Sequence, residues 1–337
     1  MSYGAHLRRL AAPLFRPALT QHAALRLAAR RGRSLVVLYH RVLPDGTAPD
    51  PIVPSLQRRL FVRQLEALLR VGDVVTLREL LEPARRSPRP RIALTFDDDH
   101  PGHIGTVVPE LQALGVSATF FLSGRSLHGL PPYWWTNVQH SLRSHGLDYT
   151  RRALGVSGET VADLAVALER SPRAAQLASR LPHVDEAQPT AADIRAMARA
   201  GMTIGFHTLH HPVLSDLAGR DLESALIDGR RELAAAAGSD VDLLAYPYGR
   251  ATTAVAEAAE RAGYVAAFAT GGRPISATSD RFLLDRWEPG ALDADELGAQ
   301  TAMRFMRSPT QPRAIRRGRV VRIETATIVK DSRRQAR

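Results

Sequence analysis

Three carboxylates in a row, Asp97, Asp98 and Asp99, close the apolar stretch RIALTFDDDH, and two imidazoles, His207 and His211, stand four residues apart in HTLHHP. Two imidazole nitrogens and one carboxylate oxygen form a donor set for a divalent metal that leaves positions open for water and substrate, as a catalytic site requires. The spacing alone carries little, because the chain has 12 histidines and no H-E-x-x-H motif. Without the aspartates, His207 reads as a polar residue at a strand end. Other chemistries are excluded by absence. The chain has no cysteine, its only lysine is Lys330, and it holds no G-x-S-x-G. Thiolate nucleophiles, thiolate metal sites, disulfides, a buried Schiff base and the lysine of a phosphate-binding loop are therefore ruled out, and a serine-hydrolase reading is weakened. Histidine and carboxylate are left to carry the chemistry.

The elements that must position these residues show an alternating pattern. Short apolar runs recur as SLVVLYH (34–40), VVTL (74–77), RIALTF (91–96), SATFFLS (117–123), MTIGFH (202–207), VDLLAYPY (241–248) and VAAFAT (265–270). Between most of them lie segments with apolar residues at helical spacing and glycine near the end: FVRQLEALLRVG, GTVVPELQALGV, DIRAMARAG, DLESALIDGRRELAAAAG and AVAEAAERAG. Alternating strand and helix predict a parallel sheet with helical crossovers, either a barrel or a doubly wound sheet. His40, Asp97, Asp98, His207 and Tyr248 all fall at the C-terminal ends of such runs. In a parallel barrel that edge is one face, where residues remote in sequence converge. The stretch from about 124 to 190 breaks the rhythm with helical patterns and is expected to be an insertion at one barrel end. The organisation predicted is a basic N-terminal arm over 1–33, one catalytic domain over 34–306 and a basic C-terminal tail over 307–337.

Charge limits the partners. The 337-residue chain carries a net charge of +11, yet residues 1–44 and 307–337 are each +8, which leaves the body at −5. A mildly acidic body argues against nucleic acid. The arginine-rich ends either hold the protein on an anionic membrane surface or are solvated arms. No apolar stretch is long enough to span a bilayer, and Arg8, Arg9, Pro13, Arg16 and Pro17 interrupt any signal-peptide core. A cytoplasmic protein, peripheral at the inner membrane if the ends bind it, is the expectation.

With these residues in view, the chain resembles the polysaccharide deacetylases with the NodB homology domain, carbohydrate esterase family 4. The resemblance lies in TFDD (95–98), HTLHHP (207–212) and YPYG (246–249), with ATFFL (118–122) and AGMTIGFH (200–207) beside them. It implies a distorted (β/α) barrel and metal-dependent removal of acetyl groups from an N-acetylhexosamine-containing glycan or glycan precursor. Carried onto matching positions, it implies Asp98, His207 and His211 as ligands of a divalent metal, zinc by default, and Asp97 as general base. Tyr248 would offer its backbone N–H to the developing oxyanion.

Three positions depart from the family pattern. Asp99 stands where glycine is usual, as an acceptor behind the metal or an exposed loop residue. No histidine follows residue 211 to serve as the late general acid. The early YHRV, whose histidine is His40, resembles the circularly permuted branch that includes poly-N-acetylglucosamine deacetylases, and there an N-terminal histidine takes that role. Ala245 replaces an arginine that pairs with the base, and Arg286 in LLDRWEP either supplies that guanidinium or pairs locally with Asp285 or Glu288. Trp134 and Trp135, beside Tyr133, offer faces for sugar rings or pack the inserted helices. His100 and His103 touch substrate or are solvated. Rival readings are an O-acetyl ester or cyclic imide as the acyl target, and a catalytically silent carbohydrate-binding relative.

Overall fold

The computed structural model describes residues 18–309 except 84–86, 170, 172, 179 and 183–185. Its strands in chain order are β1 (Ser34–Tyr39), the short pair β2 (Arg41–Leu43) and β3 (Ser55–Gln57), β4 (Asp73–Val74), β5 (Arg91–Asp97), β6 (Thr119–Leu122), β7 (Thr203–Phe206), β8 (Leu243–Ala245), β9 (Ala266–Thr270) and β10 (Leu284–Arg286). The helices are α1 (Ala18–Arg30), α2 (Arg58–Val71), α3 (Leu77–Leu81), α4 (Val108–Ala113), α5 (Trp134–Leu154), α6 (Val161–Glu169), α7 (Ala174–Ala178), α8 (Ala191–Arg199), α9 (Gly219–Ile227), α10 (Arg230–Ala237), α11 (Thr253–Arg261) and α12 (Ala294–Phe305).

The main sheet runs β1-β5-β6-β7-β8-β9-β10 with every pair parallel, and β4 pairs with the start of β5. Just past β10, Trp287 accepts from Leu38 N–H and donates to Val36 C=O, each at 2.8 Å. That contact brings the last strand back to β1 and all but closes a (β/α) barrel.

Strand alternation divides the core in two. Leu35, Val37 and Tyr39 of β1 and Ile92, Leu94 and Phe96 of β5 pack outward under the helices, whereas Val36 and Ala93 join Phe121, Leu243, Ala245, Phe268 and Leu284 in a separate inner cluster. Both faces are buried, which is why these strands read as continuous apolar runs rather than alternating ones. The same two-residue period carries Asp97 two places past Thr95 on the inner face and Arg286 two places past Leu284. The polar residues thus emerge at the barrel's C-terminal mouth.

Two local expectations differ. VVTL is strand only over its first residue, because Thr76 accepts from Glu79 N–H while the Glu79 side chain accepts from Thr76 N–H; this reciprocal cap starts α3. DLESALIDGRRELAAAAG forms α9 and α10 rather than one helix, since Gly229 between them has a φ of +82° that only glycine adopts cheaply.

Between β6 and β7 the chain is helical, with α5 interrupted at Gly146. Val138, Leu154, Leu164, Leu168, Ala178 and Leu181 give this insertion its own apolar cluster. Within the expected N-terminal arm, α1 buries Ala24 and Ala28, and Arg33 Nη1 donates to Phe305 C=O at 2.6 Å. Residues 1–17 of that arm and 310–337 of the expected tail lie outside the described residues. No helix among the described residues is long and apolar enough to cross a membrane.

Candidate active site

The barrel mouth gathers the histidines and carboxylates. Asp97 ends β5, Asp98 follows it, His207 follows β7, and all three are buried. His211 sits four residues on, 9% exposed. Nε2 of His207 and Nε2 of His211 lie 3.2 Å apart, and each is 3.7 Å from Asp98 Oδ1. Among the described residues this is the one group of histidine and carboxylate side chains whose donor atoms converge on a common point.

Geometry sets the tautomer of His207. Its Nδ1–H donates to the Ala245 carbonyl at 2.8 Å, which leaves the Nε2 lone pair facing the mouth. Asp98 Oδ1 and His211 Nδ1 are buried with no hydrogen-bond partner. A buried unpaired carboxylate oxygen is costly, and a cation at the convergence point would relieve it. Two nitrogens each about 2.05 Å from a tetrahedral ion stand about 3.3 Å apart, close to the separation found here. The donor set therefore fits a small divalent metal.

Backbone strain is concentrated at the same place. Asp98 (φ 71°), Thr208 (63°), His211 (51°) and Tyr248 (58°) are the non-glycine residues with positive φ among the described residues. Left-handed conformations cost roughly 1 kcal/mol or more each and persist only where the surroundings over-determine them. Two are proposed ligands and the others belong to the loops beside them.

Asp97 is clamped by Arg286, whose Nη1 and Nη2 reach Oδ1 and Oδ2 at 2.6 and 2.7 Å. The guanidinium is 1% exposed and stands over the Phe121 ring. It pairs with Asp97 rather than with Asp285 or Glu288. Burial pushes the Asp97 carboxyl upward, but Arg286 and His207 outweigh it and hold it below the ordinary carboxylate value. Asp98 is also lowered: burial is opposed by His100, His211 and His207. Burial and the adjacent His207 lower His211 to about 3, so its ring is neutral and able to ligate at neutral pH.

Parallel pairing of Tyr39 with Phe96 sets His40 beside Asp97. Its Nδ1 lies 2.8 Å from Glu288 Oε1, and its side chain is partly exposed. Burial would lower this imidazole, yet Glu288, with smaller contributions from Asp98 and Asp97, raises it to about 9. Sequence reasoning did not assign Glu288 a role here. Its signal was present, since 284, 286 and 288 continue one strand-face alternation past the end of β10.

The remaining positions are less exposed than expected. His100 and His103 are buried at 3% and 0%, so neither is solvated. His103 sits in the π-helical turn His103–Val107 and its Nε2–H donates to His40 C=O at 2.9 Å. Asp99 is buried too and accepts from the Ser123 N–H and hydroxyl and from Arg125 N–H, tying two loops together. His210 is exposed. Trp135 is buried, stacked on Tyr133 at 4.2 Å, and both rings stand edge-on to His211. Trp135 thus has little surface to offer a sugar, whereas Trp134, edge-on to it, is only half-buried. Tyr248 lies in the turn Pro247–Gly249 with its ring 4.7 Å from His211.

The sequence model for polysaccharide deacetylase matches residues 84–267. Among solved structures, the Streptococcus pyogenes deacetylase PplD in complex with acetate superposes with a TM-score of 0.56 at 17% identity, over 80% of this chain and 98% of that one. IcaB from Ammonifex degensii gives 0.52 at 21% identity over 80% and 97%. A de-N-acetylase from Aggregatibacter actinomycetemcomitans gives 0.53 at 18% over 81% and 99%. At these identities the likeness establishes the fold. No match was found among curated proteins.

Proposed function

Because this chain belongs to the polysaccharide deacetylase family, we propose that it is a metal-dependent hydrolase that removes acetyl groups from N-acetylhexosamine units of a glycan. The observation that carries this reading is the convergence of Asp98 Oδ1 and the two imidazole Nε2 atoms beside a carboxylate held ionised by Arg286. Asp98, His207 and His211 would hold the metal, and two imidazoles with one carboxylate suit zinc. A divalent ion there supplies Lewis acidity, which polarises the acyl carbonyl and makes a water acidic enough for a weakly basic carboxylate to deprotonate.

The chain's own residues account for the proton movements. Asp97 keeps lone pairs beyond those engaged by Arg286, and its Oδ2 faces His207 Nε2 at 3.7 Å, which supports assigning it the water proton. His40, protonated at neutral pH through Glu288, gives a proton to the leaving amine. The Tyr248 backbone N–H is assigned to the oxygen that gains charge. Trp134 is assigned to the sugar, and Trp135 and Tyr133 to the packing behind His211.

Acetate release from N-acetylglucosamine oligomers, measured with chelator and after zinc is restored, tests the reading. Activity lost with chelator, regained with zinc and lost in Asp97→Asn at wild-type zinc content is expected. Acetate released from an O-acetyl ester but not from the amide would move the substrate assignment; turnover indifferent to chelator would remove the metal.

A further inference from the structure

His100 is buried, is not one of the converging donors, and has no part in the proton movements above. Its surroundings are nevertheless built. Asp98 uses Oδ1 toward His207 and His211, while its second oxygen, Oδ2, faces His100 Nε2 at 3.6 Å. On the far side, Arg41 Nε lies 3.0 Å from His100 Nδ1 and 3.4 Å from Nε2. Nδ1, the nearer nitrogen, accepts the arginine N–H and cannot also carry a proton. In the neutral ring the proton is then on Nε2, the nitrogen that faces the carboxylate.

Arg41 is itself held on every side. Nη1 meets Gln139 Oε1 and Asp50 Oδ2, both at 2.9 Å, and Nη2 meets Glu186 Oε1 and Oε2 at 3.1 and 3.0 Å. Gln139 also donates to Asp50, and the Thr136 hydroxyl donates to Glu186 at 2.9 Å. Gln139 and Thr136 belong to α5, so the insertion grips the arginine that grips His100. A guanidinium, with its planar fork of donors, serves all these acceptors at once, as an ammonium cannot.

The geometry points to His100 as a positioning residue for Asp98, its ring oriented by Arg41 so that Nε2–H faces Oδ2 at 3.6 Å, an electrostatic contact longer than a hydrogen bond, and leaves Oδ1 aimed at the metal. This deepens the metal reading and rests on it. Metal ligands are commonly oriented by outer polar partners, whose loss weakens metal binding about 10–100-fold. It also gives the insertion a second task besides packing: α5 and Arg41 set the aim of the ligand that follows β5.

The test is zinc affinity of the metal-free full chain, titrated against a competing chelator, with thermal unfolding of the same metal-free proteins alongside. His100→Gln keeps a donor near the Nε2 position, whereas His100→Asn keeps a group near Nδ1 but none that reaches Asp98. Affinity about 10–100-fold weaker in His100→Asn, near wild type in His100→Gln, with similar unfolding midpoints for the two, is the expected result. Arg41→Lys, which loses the fork, should fall with His100→Asn. Wild-type affinity in His100→Asn, or equal losses in Asn and Gln variants, would overturn the proposal. A wild-type chain that binds no zinc, or an Asp98→Ala chain that binds it normally, would instead overturn the metal site on which the proposal stands.

Discussion

His40 and Glu288 show how a single contact sets chemistry at the residue scale. Burial by itself favours the neutral imidazole, and the 2.8 Å approach of a carboxylate reverses that, raising the ring from 6.5 to about 9. A proton donor must be protonated, so activity on an amide is expected to decline as pH rises through about 9. In Glu288→Gln the opposing charge is gone and burial dominates, so the alkaline limb should move to lower pH, which a kcat/KM profile would record. The stability linkage has the same sign: a raised folded value contributes stability below about 6.5 that is lost as pH rises through about 9. An alkaline limb that stays in place in Glu288→Gln would take the proton-donor role away from His40.

The turn after β8 shows how an element holds such residues. Tyr248 and Gly249 both have positive φ, and a Cβ on Gly249 would fall inside Thr270 Oγ1 and Cγ2 on β9. Gly249→Ala is therefore expected to destabilise the fold by about 1–3 kcal/mol and to lower kcat, because the turn must shift Tyr248 to make room. Gly263→Ala makes the comparison. It carries the same left-handed cost, with φ +79° and open space around the added carbon, and should lose only about 1 kcal/mol with activity intact. Chemical denaturation and turnover on the same preparations separate the two. The expected VVTL strand belongs to this scale as well, where a four-residue capping motif overrode β propensity because it satisfied backbone donors locally.

Across the whole molecule, Arg286 and Asp97 join β10 to β5 over the intervening β1 inside the barrel mouth. Removing one partner leaves a buried charge without compensation, so Arg286→Met is expected to cost about 3–5 kcal/mol in urea unfolding. The pair Arg286→Met with Asp97→Leu should regain much of that loss while remaining inactive, since buried pairs are costly mainly when broken. A single variant as stable as wild type would mean that the pair does not brace the barrel.

Much of this protein was determined by sequence alone. Apolar runs that alternate with helical segments settle a parallel α/β sheet, because only strands buried on both faces keep such runs, and the family resemblance then points to the barrel. TFDD, HTLHHP and YPYG carry the family resemblance, and through it the proposed ligands and base, because those motifs put chemically capable side chains at the strand ends. The tertiary structure decided what no spacing encodes. It selected Asp97 as Arg286's partner over the nearer Asp285 and Glu288, because the inner strand face turns the guanidinium into the barrel while its sequence neighbours are directed elsewhere. It brought Glu288 to His40 across 248 positions, buried Trp135 against His211, and placed Arg41 between the insertion and His100. Each of these is a contact between segments remote in the chain. Period and propensity act over a few residues, whereas such contacts exist only once barrel closure has brought the strand ends together.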